Sequence, residues 1–208
     1  MNMHERIMSG KLFTDMCEGM QLERLEGKKL MKKFNNSKPW DFLGRAKLLE
    51  KMLGKGKDCW VEPPFYFCYG KHIEIGEGSY INVNCTFVDD GMIRIGKKVM
   101  FGPAVMIATV GHPLNPQLRE YMYAEPVTIG DNCWIGGNVT ICPGVTIGEN
   151  TVIGAGSVVI HDVPADVIAV GNPCRVVRKI GEHDKMFYYK ERRIEEEDLK
   201  EEAALRKG

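Results

Sequence analysis

Between Val127 and Val159 the chain repeats every six residues without a slip. Ile129, Ile135, Ile141, Ile147, Ile153 and Val159 hold one phase. Glycine follows directly at Gly130, Gly136, Gly148 and Gly154. Four places after each of the first five apolar positions stands a small or β-branched residue: Cys133, Val139, Val145, Thr151 and Ser157. A helical stripe recurs at three and four residues and a simple strand at two. A strict period of six with turn-permissive glycines instead describes the stacked coils of a parallel β-helix, in which each coil shares its core with its neighbours.

An earlier block has the same period. Ile75, Ile81 and Phe87 are six apart, and so are Ile95, Phe101 and Ile107. The two halves are offset by two residues, which we read as a small bulge at Asp89-Asp90-Gly91. From Ile107 to Ile129 the distance is 22 residues, which six does not divide. A loop therefore projects from the stack at about 111–126, carrying Gly111-His112-Pro113 and Tyr121-Met122-Tyr123. Long loops on a regular scaffold tend to be functional. Cys59 to Tyr69 reads as the first coil, since Pro63-Pro64 excludes a helix there. Residues 1–56 have apolar residues at helical offsets and predict a small cap of two or three helices. Such a cap covers the strand edges at the end of a solenoid. Residues 57–180 form the β-helix, and residues 181–208 a charged tail that is expected to be helical.

The 28 basic and 28 acidic side chains cancel. This gives no support for nucleic acid or an anionic membrane as the main partner. No apolar run reaches the length of a membrane span. Met1 to Leu12 lacks the apolar core of a secretory signal, so a cytoplasmic protein is expected. Seven cysteines are present with no C-x-x-C pair. They read as reduced thiols used mainly as small core residues, and no metal site is expected.

Several stretches carry a family resemblance. They are Lys11-Leu12-Phe13-Thr14-Asp15-Met16-Cys17-Glu18-Gly19, Trp60-Val61-Glu62-Pro63-Pro64, Phe87-Val88-Asp89-Asp90, Gly111-His112-Pro113, Trp134-Ile135-Gly136 and Gly171-Asn172-Pro173-Cys174-Arg175. Together with the repeats, they resemble the galactoside and maltose O-acetyltransferases among the left-handed β-helix acyltransferases. The first stretch is closer to the galactoside enzymes. The resemblance implies a left-handed helix, a homotrimer, and acetyl-CoA lying in a groove between adjacent subunits. The projecting loop of one subunit would wall the site of its neighbour.

Acetyl transfer from a thioester to a hydroxyl needs a base at the hydroxyl proton, which neutral imidazole suits. His112, inside the loop that breaks the stack, matches the family's base. The oxyanion formed on the thioester carbonyl needs a preorganised donor. The resemblance points to Asn82, with Asn84, two residues on, as its local competitor. Asp15 and Asp90 match the family's sugar-binding carboxylates, with Arg24 and Met122 contributing to the same pocket. Asp15 also reads as a helix cap and Asp90 as a turn residue. Cys68 stands where the galactoside enzymes usually have serine, and a thiol is a weaker hydrogen-bond donor than a hydroxyl. For acetyl-CoA, the resemblance assigns Gly137 and Ala155 to close backbone approach. It places Ile160 and His161 alongside, with His161 at a position more often lysine, and Arg175 and Arg178 on the phosphates. Trp134 reads equally as a wall for the pantetheine arm and as a cap on a subunit seam. The expected activity is acetyl-CoA-dependent O-acetylation of a sugar or glycoside. The rivals are the same chemistry on maltose, glucose, an amino sugar or serine, a metal-binding β-helix, and a non-catalytic scaffold.

Overall fold

The computed structural model describes residues 1–14, 16 and 18–206. Short parallel strands stack into three sheets, the faces of a triangular prism. The first face carries an inward ladder of Val61, Ile81, Phe101, Ile135, Ile153 and Ala169. Ile75, Ile95, Ile129, Ile147 and Val163 form the ladder of the second. The third aligns Phe67, Phe87, Ile107, Ile141 and Val159. All of these side chains are buried. Burial of each Ile, Val or Phe contributes about 1.5–3 kcal/mol relative to exposure. Alternate residues of each strand point out, which is the period-two rule inside the period of six.

The turns between faces explain the rest of the repeat. Asn132, Asn150 and Asp166 adopt φ of 58°, 57° and 59°, a left-handed turn conformation that Asn and Asp tolerate. They stack along the edge between the second and first faces. Asn132 Nδ2 donates to Asn150 Oδ1 at 3.0 Å, and Asn150 Nδ2 to Asp166 Oδ1 at 2.9 Å. The glycines after the inward residues are there for closeness. A Cβ on Gly102 would meet Gly137 N at 2.5 Å, and one on Gly136 would meet Ala155 N at 2.5 Å. Cys133 and Cys85 are fully buried core residues.

The length variation is confined to one edge. From the third face to the second, inward residues are separated by 8, 8, 22, 6 and 4 residues: Phe67–Ile75, Phe87–Ile95, Ile107–Ile129, Ile141–Ile147 and Val159–Val163. At the other two edges the spacing is six throughout. The offset expected at Asp89-Asp90-Gly91 is thus one of two. The coil before it carries the same two extra residues at Cys68–His72, so the insertions lie one above the other and the ladders stay in register. They widen a corner of the prism and do not bulge a strand.

The N-terminal segment folds as α1 (Met3–Met8), α2 (Glu18–Asn35) and α3 (Phe42–Met52). A capping box between Asn2 and Glu5 starts α1, and the Asp41 carboxylate accepts from Gly44 N to start α3. Asn35, at the end of α2, clasps the backbone of the first coil, donating to Phe65 O and accepting from Phe65 N, both at 2.9 Å. After the solenoid, Arg175–Lys179 turns back antiparallel on the first face. The tail then forms α4 (Glu182–Met186), a hairpin of Phe187–Tyr189 with Arg192–Arg193, and α5 (Glu196–Leu205). The hairpin departs from the all-helical tail expected from charge patterning, because Phe187-Tyr188-Tyr189 is an aromatic run of strand character. No helix among the described residues is long and apolar enough to cross a membrane.

Candidate active site

The widened third-to-second edge has its own small hydrophobic cluster. Ile7 of α1, Phe13, Met20 of α2, Tyr69 of the first corner and Ala124 of the loop's return pack together, with Cys68 and Met122 partly buried against them. Over this cluster lie the polar groups. Arg24 Nη2 donates to Tyr69 Oη at 3.1 Å and reaches Asp90 Oδ1 at 3.4 Å, with its guanidinium 5.0 Å from the Tyr69 ring centre. Asp90 is buried to 3% exposure beside that cation. Burial pushes the Cys68 thiol up to about 11, and the nearby carboxylates of Asp90 and Asp89 add to the rise. Cys68 is therefore a neutral thiol at physiological pH, able to donate weakly and not poised as a thiolate nucleophile.

The loop leaves this same edge through a two-stranded neck, Val110–Gly111 antiparallel to Tyr123–Ala124. Phe13 and Met122 exchange backbone hydrogen bonds of 2.9 and 2.8 Å, pinning the loop's return to the cap. His112 stands at the top of the neck, exposed. Its Nδ1 lies 2.9 Å from the carbonyl oxygen of Arg119 and 3.0 Å from that of Tyr121. Both partners can only accept. Nδ1 therefore carries a proton, and in the neutral ring Nε2 presents its lone pair, the tautomer a general base needs. Arg119 was not anticipated from the sequence. Its Nε donates to Pro113 O and its Nη2 to Leu114 O, each at 2.9 Å, so one residue closes both arms of the loop around the imidazole.

Asn82 lies on another edge. It follows the first-face strand Tyr80–Ile81, half-buried. Its Oδ1 accepts from Val83 N at 2.8 Å, which leaves Nδ2 as the donor end. The competitor Asn84 is removed by the backbone. It is an exposed turn residue with φ of 63°, in the series of left-handed corner residues, and does not share a strand face with Asn82. In the next three coils the place of Asn82 is taken by Gly102, Gly136 and Gly154. Above Asn82 this column of the edge thus carries no side chains over three coils. Gly137 and Ala155 line it on adjacent coils, joined by the Gly156 N to Gly137 O hydrogen bond of 2.9 Å. Trp134, 53% exposed, flanks this edge on the first face, in an outward ladder with Trp60, Tyr80 and Met100.

The remaining expected residues divide accordingly. Ile160 and His161 are exposed at the shortened last corner of the third-to-second edge. Arg175 and Arg178 project from the antiparallel strand that ends the first face. Arg178 makes a two-pronged pair with Asp184, Nη1 to Oδ2 at 2.6 Å and Nη2 to Oδ1 at 2.7 Å, and these bonds hold the Asp184 carboxyl below its usual range. Asp15 lies outside the described residues. One chain therefore gathers Arg24, Cys68, Asp90, Met122 and His112 at one edge, and Asn82, Gly137, Ala155 and Trp134 at another. Among the described residues, no three His, Cys, Asp or Glu side chains converge as a metal site requires.

Comparison with known proteins agrees with this architecture. The profile for the bacterial transferase hexapeptide (six repeats) matches residues 126–161, and that for the maltose acetyltransferase hexapeptide capping motif matches residues 6–56. The chain is 50% identical over 198 residues to the galactoside O-acetyltransferase of Escherichia coli K12, covering 94% of this chain and 98% of that protein. A solved galactoside acetyltransferase in complex with coenzyme A superposes with a TM-score of 0.90 at 50% identity, covering 94% of this chain and 99% of the other. A maltose O-acetyltransferase from Clostridium difficile 630 gives 0.86 at 45% identity, over 88% and 99% of the two chains. Given a match of this extent across both cap and solenoid, the chain belongs to the galactoside and maltose O-acetyltransferase family of hexapeptide-repeat proteins.

Proposed function

We propose that this protein transfers the acetyl group of acetyl-CoA to a hydroxyl of a sugar or glycoside, by direct attack in a ternary complex. The observation that carries this reading is the tautomer of His112, held by two carbonyls with Nε2 free. The acceptor hydroxyl gives its proton to Nε2 as its oxygen bonds to the thioester carbon. Asn82 Nδ2 donates to the oxyanion so formed. Collapse breaks the carbon–sulfur bond, and the leaving thiolate takes the proton from the imidazolium. Arg24, Asp90 and Cys68 hold the acceptor, and the corner they share with the cap favours a polyhydroxylated ligand. The bare glycine edge beside Asn82 fits the slender pantetheine arm, with Gly137 and Ala155 as its floor and Trp134 as its wall. Arg175 and Arg178 supply charge for the phosphates, with Ile160 and His161 on a neighbouring corner. Asp15 keeps its proposed sugar-binding role on the family resemblance alone.

The test is a panel of galactosides, glucosides, maltose, amino sugars and serine, scored for thiol release from acetyl-CoA. A galactoside is expected to give the highest kcat/KM. Release that no sugar accelerates would refute the reading.

We further propose that each site is shared between two copies of a homotrimer. Asn82 and His112 leave the prism at different edges, so a second copy is what can bring them to one acyl group. The outward ladder supplies an apolar surface for that contact: Trp60 is 38% exposed and Met100 and Trp134 are each 53% exposed. Refolding an equimolar mixture of His112→Ala and Asn82→Ala chains should then restore about a quarter of wild-type activity, since a random neighbour pair is intact one time in four. If each chain held a complete site, mixing would restore none.

A further inference from the structure

Asp89 and Asp90 are adjacent and point to opposite sides of the widened corner. Asp90 faces Arg24. Asp89 faces inward, with no exposed surface. Its Oδ1 accepts from Cys68 N at 2.8 Å and from Tyr69 N at 3.0 Å, and its Oδ2 accepts from Gly70 N at 2.7 Å. Three successive amides of the preceding coil thus end in one carboxylate. These are the amides of the inserted corner, where the sheet ladder offers no acceptors because the extra residues have left it.

The main chain of Asp89 is braced as well. Its carbonyl accepts from His72 Nδ1 at 2.7 Å, and His72 is itself buried between the rings of His4 and Tyr69. Among the described residues, His72 Nε2 has no hydrogen-bond partner, so the ring is held through Nδ1 alone. Gly70 closes the turn at φ +82°, where a Cβ would lie 2.3 Å from Met52 O. The corner so fixed delivers the Cys68 thiol to the pocket and holds Tyr69 behind it, fully buried, with its hydroxyl accepting from Arg24.

We propose that Asp89 is a positioning residue for the acceptor: through the backbone of Cys68, Tyr69 and Gly70 it sets the thiol and, by way of the buried Tyr69 hydroxyl, the Arg24 guanidinium, the two groups that meet the sugar, without touching the sugar itself. This rests on the reading of that corner as the acceptor pocket. Burial pushes the Asp89 carboxyl up to about 7, against the backbone amides that donate to it and hold it down.

The experiment compares Asp89→Asn, Tyr69→Phe and Arg24→Ala with wild type, using the best acceptor of the panel. An amide at position 89 offers one acceptor oxygen and turns its NH2 against a backbone donor. The KM for the acceptor should rise about tenfold or more in Asp89→Asn and Tyr69→Phe, while the KM for acetyl-CoA stays within about twofold. If Asp89→Asn does not fold, Asp89→Glu, which keeps a carboxylate for the three amides, is measured in its place, with the same acceptor KM as the readout. An unchanged acceptor KM, or equal rises for both substrates with a lower Tm, overturns the proposal and leaves Asp89 a purely structural residue. Arg24→Ala separates the two levels. If it leaves the acceptor KM unchanged, the pocket reading itself fails; if it raises that KM while the other two variants do not, only the positioning role fails.

Discussion

Replacing His112 by alanine is expected to lower kcat about 10³-fold, within the range that general base catalysis contributes. The geometry behind this is specific. A neutral histidine with one ring nitrogen committed to two carbonyl acceptors has one tautomer, whose other nitrogen holds the lone pair a base requires. The imidazole stands on a neck of four paired residues and is held by the closed loop that Arg119 ties, so alanine removes the imidazole without removing a core contact. The KM for acetyl-CoA should therefore change little, and the melting temperature should stay near wild type. Steady-state kinetics at saturating acceptor reads the effect. Retention of more than about a tenth of wild-type kcat would exclude His112 as the base.

The second large effect is at Asn82. With Asn82 in its proposed role, substitution by alanine takes away one donor to the oxyanion and should cost about 10²–10³ in kcat. Aspartate is the sharper probe. It is nearly isosteric and can still accept from Val83 N as Asn82 Oδ1 does. It replaces the donor end with an oxygen that repels the developing charge, so Asn82→Asp should be at least as slow as Asn82→Ala. If the aspartate variant were the faster of the two, Asn82 would be holding the backbone at the end of its strand and not the oxyanion. Neither substitution disturbs the glycine column above it, because the close backbone approaches begin at Gly102.

The solenoid was legible because its physics is one-dimensional. An inward residue every six positions is the direct image of three faces, and Ile129 to Val159 gave it without interruption. The exceptions were harder. The displacement at Asp89-Asp90-Gly91 was visible, but its meaning was not. Only stacking reveals that Cys68–His72 carries the same insertion and that both lie under the His112 loop. Asn82 and Asn84 looked alike because alternation along a strand was assumed, whereas the strand ends at Ile81 and Asn84 is a corner residue with positive φ. His112 stands out by its place in the loop, but its tautomer depends on carbonyls seven and nine residues away. Asp89 and Asp90 are indistinguishable in sequence as paired turn carboxylates. Their opposite tasks follow from which side of the corner each faces. Arg119 gave no signal, since an arginine that serves backbone carbonyls leaves no pattern in neighbouring residue types.

Confining every change of length to one edge has a consequence for how such a chain can diversify. Residues can be added or removed there without shifting any of the three inward ladders, because the stack realigns at the next face. The other two edges have no such freedom, since a single residue gained would rotate each following coil out of phase. The edge proposed for the acceptor and the edge proposed for the donor are therefore under different constraints. The corner at Cys68–Lys71 and Val88–Gly91 can be lengthened, trimmed or exchanged as a cassette, while the glycine edge beside Asn82 has to be inherited whole.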